Sequence, residues 1–91
     1  MINVRVKFYS NLKNTFGLKE DIVSIKKNSS FDDLFKFIVK KAGITNKNVL
    51  ISEEGNYKFI VVLNEKKISN LKNLSLEDGD TILFIPPIAG G

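Results

Sequence analysis

The chain has 91 residues, 43% hydrophobic and 26% charged, which suits one small domain with no run of the roughly 20 apolar residues that spans a bilayer. It contains neither cysteine nor histidine, so disulfides, thiol nucleophiles, zinc sites built on those ligands and the usual neutral-pH general base are excluded. The net charge of +4 comes mainly from lysines spread along the chain, in no block longer than a pair, which favours a solvated exterior over a nucleic-acid surface.

Residues 2–9 alternate apolar and polar side chains, the period of a half-buried strand. One face would carry Ile2, Val4, Val6 and Phe8, and the other Asn3, Arg5, Lys7 and Tyr9. Leu12 and Phe16 then predict one short helical turn that ends at Gly17. A second strand is predicted near residues 20–26, with Ile22, Val23 and Ile25 available for packing. Two strands this close in sequence should form an antiparallel hairpin.

A helix is predicted to follow Ser30, which forms a capping-box pattern with Asp33. Its apolar residues recur at the spacing of one stripe, namely Phe31, Leu34, Phe35, Ile38, Val39 and Ala42. Lys40 and Lys41 suit the last turn, and Gly43 ends the helix. This stripe is interpreted as a core face.

The second half of the chain predicts three further strands. Residues 44–58 are the least regular stretch, with a turn at 53–56. Residues 59–63 form a strand that is apolar on both faces, and a tight turn at Asn64 and Glu65 leads into a short strand around 66–68. Leu71 and Leu74 anchor a crossing segment, residues 77–80 form a turn, and 81–85 form the last strand.

This order predicts an α+β fold of the β-grasp (ubiquitin-like) type. About five strands form one mixed sheet with one main helix across it, and the first and last strands lie side by side in its centre. Residues 1–85 would form this domain. Residues 86–91 would form a flexible Gly-Gly tail.

The face of the sheet away from the helix is predicted to carry a partner-binding patch. Alternation along the strands turns five apolar side chains outward: Tyr9, Ile60, Val62, Leu83 and Ile85. Exposed apolar patches on small proteins usually mark partner surfaces. The alternative is that residues 44–58 fold back over them.

The tail combines stiffness with small side chains. Pro86 and Pro87 fix an extended exit and cannot extend a sheet ladder. The side chains then shrink through Ile88 and Ala89 to Gly90 and Gly91. Glycine adopts almost any backbone geometry, so a terminal Gly-Gly can carry a carboxylate into a narrow ATP site. The alternative is a frayed end that happens to be rich in glycine.

The sequence resembles the MoaD family, the sulfur-carrier subunits of molybdopterin synthase, including archaeal relatives that serve as small ubiquitin-like modifiers. The resemblance covers nearly the whole chain. Its most discriminating marker is Pro86-Pro87 before Gly90-Gly91; the others are residues 2–9, 11–17, 62–64 and 76–80. The long stretch 44–58 is more similar to the archaeal members. Lys67 departs from the family, because it stands where a bacterial carrier has an apolar contact.

The resemblance implies a carrier without a catalytic site or bound cofactor of its own. An E1-like enzyme of the MoeB type would adenylate Gly91 with ATP, and a sulfur donor would convert it to a thiocarboxylate (1-thioglycine). The tail, residues 86–91, would insert into a MoaE-like large subunit in a heterotetramer and give sulfur to a pterin precursor of the molybdenum or tungsten cofactor. Tyr9 and Ile85 match partner-contact positions of the family.

Other functions remain open from sequence. Gly91 could be conjugated to lysines of target proteins, as in a modifier, or the sulfur could serve tRNA thiolation. A third class is a β-grasp binding module with an inert tail. No metal, membrane or nucleic-acid partner is expected, and the start of the chain does not resemble a signal peptide, so a cytoplasmic location is expected.

Overall fold

The computed structural model describes residues 1–87 apart from the side chain of Lys47, and these residues form five strands and two helices. In chain order these are β1 (Ile2–Phe8), α1 (Asn11–Phe16), β2 (Glu20–Ile25), α2 (Phe31–Ala42), β3 (Ile60–Leu63), β4 (Lys66–Ile68) and β5 (Thr81–Ile85). Short 3-10 turns lie at Lys47–Val49 and Leu71–Asn73. The predicted element order is confirmed, with strand ends that differ by one residue.

The sheet has the order β2-β1-β5-β3-β4. Its central pair, β1 and β5, runs parallel, with Arg5 opposite Thr81 and Phe8 opposite Phe84. The pairs β1–β2, β3–β5 and β3–β4 are antiparallel. This is the mixed β-grasp sheet that the sequence predicted, and it places the chain's exit after Ile85 at the end of a strand that is flanked on both sides.

Local signals fix the main helix at both ends. The Ser30 hydroxyl accepts a hydrogen bond from the Asp33 N–H at 3.0 Å, and the Ser30 N–H donates to Asp33 Oδ2 at 3.1 Å. These two bonds satisfy donors that every helix start leaves free. Gly43 ends the helix with a φ of 74°, a left-handed conformation that glycine adopts without a steric cost. The capping box is therefore confirmed.

The core lies between α2 and the inner face of the sheet. It is apolar, and no polar or charged residue is buried among those whose side chains the structure describes. Its aromatic centre includes Phe59 and Phe84, whose ring centroids lie 5.0 Å apart. Burying each such side chain contributes about 1.5–3 kcal/mol. The core thus holds β3 and β5 against the helix.

One packing prediction is wrong. Val23 and Ile25 are buried as expected, but Ile22 is 59% exposed. Ile22 lies opposite Arg5, so the pleat turns its side chain to the face away from the helix. The strand is apolar at three positions, yet only two of them can share the inner face.

The irregular stretch 44–58 is part of the core. Leu50 is fully buried, and a bridge between Ile51 and Tyr57 closes the turn between them. The Tyr57 ring packs 5.1–5.3 Å from the rings of Phe31 and Phe35 on α2. The stretch therefore lies beside the helix.

Candidate functional site

The outer face of the sheet brings four of the five predicted patch residues into two adjacent rows. Ile60 lies opposite Ile85, and Val62 lies opposite Leu83. All four side chains are partly buried, whereas their strand neighbours Val61, Ile82 and Phe84 are at most 1% exposed and point toward the helix. The structure thus agrees with the predicted alternation: on β3 and β5, the side chains predicted to point outward do so.

Tyr9 completes the patch from the neighbouring strand. Its side chain is 41% exposed, and it lines one shallow pocket together with Lys7 and Leu83. The Tyr9 N–H donates to the Phe84 carbonyl at 3.1 Å, which fixes its backbone beside β5. Ser10 follows with a φ of 50° and turns the chain into α1, so the alternation of β1 ends at Tyr9.

Charged side chains flank this patch on two sides. Lys7 lies opposite Leu83 on β5 and opposite Glu20 on β2. Arg5 also approaches Glu20, with 3.9 Å between Nη1 and Oε2. On the other side, Lys67 lies opposite Val62 and is exposed. The sequence pattern placed Lys7 on the face of Tyr9, and the strand register adds that Lys7 lies opposite Leu83 and Lys67 opposite Val62.

The tail residues fall at the edge of the described chain. Pro86 is partly buried and Pro87 is exposed, directly after β5. The expectations for Ile88, Ala89, Gly90 and Gly91 lie outside the described residues. The end of β5 lies beside the patch, because Ile85 is opposite Ile60 and the Tyr9 N–H bonds to the Phe84 carbonyl.

Part of the stretch 44–58 packs against α2 on the helix side of the sheet, and residues 55–57 line a pocket together with Ile60 of the patch. Tyr57 fixes one part of it there, because its hydroxyl donates to Asp32 Oδ1 at 3.2 Å. Burial, and then the nearby negative charge of Asp32, raise the pKa of Tyr57 to about 12. Asp32 also pairs with Lys36 at 2.9 Å, and this contact raises the pKa of the lysine. Sequence reasoning missed this cluster, because Asp32 and Tyr57 lie 25 positions apart in the chain.

Within the described part of the chain, no group of three or more acidic side chains is placed to hold a metal ion. Neither helix of residues 1–87 has the length and apolar content needed to cross a membrane.

Comparison with known proteins gives consistent matches over the whole chain. A model of the ThiS family matches residues 6–91. The molybdopterin synthase sulfur carrier subunit of Drosophila erecta is 29% identical over 92 residues, covering 100% of this chain and 93% of that protein.

Solved structures share the fold. The solution structure of small archaeal modifier protein 1 from Methanosarcina acetivorans is 27% identical with a TM-score of 0.72, covering 100% of this chain and 98% of that one. A chain in the Helicobacter pylori complex of subunits 1 and 2 of molybdopterin-converting factor is 24% identical with a TM-score of 0.64, covering 99% of this chain and all of that one.

Proposed function

Since the chain belongs to the ThiS family, we propose that it is the sulfur-carrier subunit of a molybdopterin synthase. The resemblance to MoaD-type carriers and archaeal modifiers is confirmed by the full-length matches. The single observation that carries the proposal is the match to a curated sulfur carrier subunit over the complete chain, including the tail.

The chemistry is assigned to Gly91. An E1-like enzyme of the MoeB type would let its carboxylate attack the α-phosphate of ATP, forming the acyl adenylate and releasing pyrophosphate. A sulfur donor would then displace AMP to leave a thiocarboxylate. Gly90 and Ala89 would let the tail enter the enzyme, because they present almost no side chain. The reactive sulfur comes from outside, so a chain without cysteine can carry it.

The domain would hold the tail and bind the partner. β5 is paired on both sides, and Pro86 and Pro87 follow it without a free N–H, so the sheet ladder cannot continue into the tail. The patch of Tyr9, Ile60, Val62, Leu83 and Ile85 lies beside this exit. A MoaE-like large subunit seated on the patch would therefore meet the tail at once, and the Helicobacter pylori relative is named as part of such a complex.

Mass spectrometry tests the proposal. The full chain is incubated with its E1-like enzyme, ATP and a sulfur donor, with one control lacking ATP and another lacking residues 90–91. The expected result is a mass gain equal to one oxygen replaced by sulfur, located at Gly91, in the complete reaction alone. An unchanged mass under conditions where the enzyme is shown to be active would refute the proposal. The truncated chain should keep its circular dichroism spectrum.

A second candidate function is protein modification, favoured by the full-length similarity to the Methanosarcina acetivorans modifier. Activation would be the same, but a lysine amine of a target protein would attack Gly91 instead of a sulfur donor. Blots of a tagged chain in cells should then show conjugates that disappear when Gly90-Gly91 is deleted. Transfer of sulfur to tRNA instead of a pterin is distinguished by supplying each acceptor to the thiocarboxylate form.

A further inference from the structure

A groove opens where the β3–β4 pair comes apart. The pairing ends at Val61 and Ile68, and beyond it residues 55–60 and 69–72 diverge. The groove has a volume of about 430 Å³. Its apolar part includes Tyr57, Phe59 and Leu71, and its polar part includes Asn56, Ser69 and Asn70.

The charged side chains that line the groove are lysines, and Asp32 lines the adjoining pocket together with Tyr57 and Lys72. Lys67 and Lys72 line the groove, and no aspartate or glutamate does. Both lysines are exposed, and neither belongs to the ion pairs of the described side chains, whose cations are Arg5, Lys36 and Lys41. Two unpaired cations beside apolar and hydrogen-bonding groups are complementary to a segment that carries carboxylates.

The groove is continuous with the docking patch. Ile60 belongs to both surfaces, and Lys67 lies opposite Val62 in the patch and also lines the groove. A protein seated on the patch can therefore extend into the groove without leaving the surface. Because the two surfaces adjoin, we assign the groove to the same partner that binds the patch.

We propose that the groove binds an extended acidic segment of the large synthase subunit, with Lys67 and Lys72 facing its carboxylates. The inference rests on the proposed function, because it names a further contact of the same partner. It assigns the two lysines a role in selecting that partner, since a surface with cations opposite them would be repelled.

Edge protection is a competing explanation for Lys67, because β4 is an edge strand and lysines on such strands prevent pairing between molecules. Replacing Lys67 by glutamate separates the two roles. Lys67→Glu keeps a charge at the edge and so keeps the protection, but it places a negative charge where a partner carboxylate would lie. Lys72→Glu makes the same change at the other side of the groove.

Binding of the full chain to the large subunit from the same organism provides the test. Affinity is measured by isothermal titration calorimetry at low and high salt for the wild type, Lys67→Glu, Lys72→Glu and Lys27→Glu. Lys27 is an exposed lysine in the turn after β2, at the opposite edge of the sheet, so its variant matches the change in net charge. Lys67→Glu and Lys72→Glu should each weaken binding roughly three- to tenfold at low salt, and the difference should shrink at high salt because screening is stronger.

Each outcome decides the inference. Losses confined to Lys67→Glu and Lys72→Glu support it, together with slower amide hydrogen exchange at residues 55–60 and 69–72 in the complex. Normal binding by both variants overturns it and leaves the proposed function standing. A wild type that becomes thiocarboxylated but does not bind the large subunit removes both the groove assignment and the molybdopterin role.

Controls on the free chain test two other possible occupants of the groove, a second copy of the chain and the chain's own tail. Self-association that Lys67→Glu abolishes in analytical ultracentrifugation would assign the groove to a second copy. Protection of the groove amides that is lost when residues 88–91 are deleted would assign it to the chain's own tail. Either result would overturn the proposal.

Discussion

Replacing Tyr9 by alanine tests whether the outer face of the sheet is the docking surface. Tyr9 is the most exposed member of the patch and stands next to the chain exit. Phe37, on the outer side of α2, is 45% exposed against 41% for Tyr9. Phe37→Ala therefore removes an aromatic ring of similar exposure from a different face of the molecule.

The expected loss follows from the exposed area. An aromatic side chain can bury about 200 Å², so the 41% that Tyr9 still exposes is on the order of 80 Å². At about 25 cal/mol per Å² this area contributes up to about 2 kcal/mol when a partner covers it. Tyr9→Ala should therefore weaken binding of the large subunit by up to about 30-fold, whereas Phe37→Ala should leave it unchanged.

Calorimetric titration gives the two affinities, and urea unfolding shows whether each variant is folded. Normal affinity for a folded Tyr9→Ala would refute the docking face. An equal loss of affinity for Phe37→Ala would refute the placement of the docking surface on the outer face of the sheet, because the helix side would then contact the partner as well.

Three further predictions concern the domain itself. Leu50→Ala should lower the free energy of unfolding by about 2–5 kcal/mol. Val49→Ala, at a half-exposed neighbour, should lower it by less than about 1 kcal/mol. Equal urea midpoints for the two variants would contradict the burial of residues 44–58. Ser10→Gly should stabilise the protein by about 1 kcal/mol, because glycine relieves the strain of a φ of 50°; a lower midpoint would show that Ser10 is not strained. Tyr57 has a raised pKa, so the native state retains its proton longer than the unfolded chain, and the stability that it contributes should be lost as the pH rises from about 10 to about 12. Unfolding curves of Tyr57→Phe should lack this part of the alkaline loss, and identical pH profiles would rule it out.

The sequence predicted the sheet, the main helix and the inward and outward sides of β3 and β5, because alternation and capping are local signals. Ser30 and Asp33 stand three positions apart, and Ile82 and Leu83 are adjacent, so each pattern is visible in a short window. The end of α2 is equally visible in Gly43. These features depend on few residues and on no distant part of the chain.

Other features depend on residues far apart in sequence. Leu50 stands in a short apolar piece without a period, and its complete burial results from the bridge between Ile51 and Tyr57 and the packing of Tyr57 against α2. The position of Lys67 opposite Val62 follows from the predicted turn at Asn64 and Glu65, but no local pattern reveals the groove that residues 55–60 and 69–72 line. Tertiary pairing decides such features, so the groove could not be predicted before the fold was known.

The position of β5 also determines how the domain resists force. A pull on the chain beyond Ile85 acts along a strand that is bonded to β1 on one side and β3 on the other. Because the ladder bonds lie across the direction of pull, a load on β5 is shared between two neighbouring strands, whereas an edge strand has only one neighbour. Under the proposed function, a partner that draws the tail into its active site would therefore pull against both ladders of a central strand.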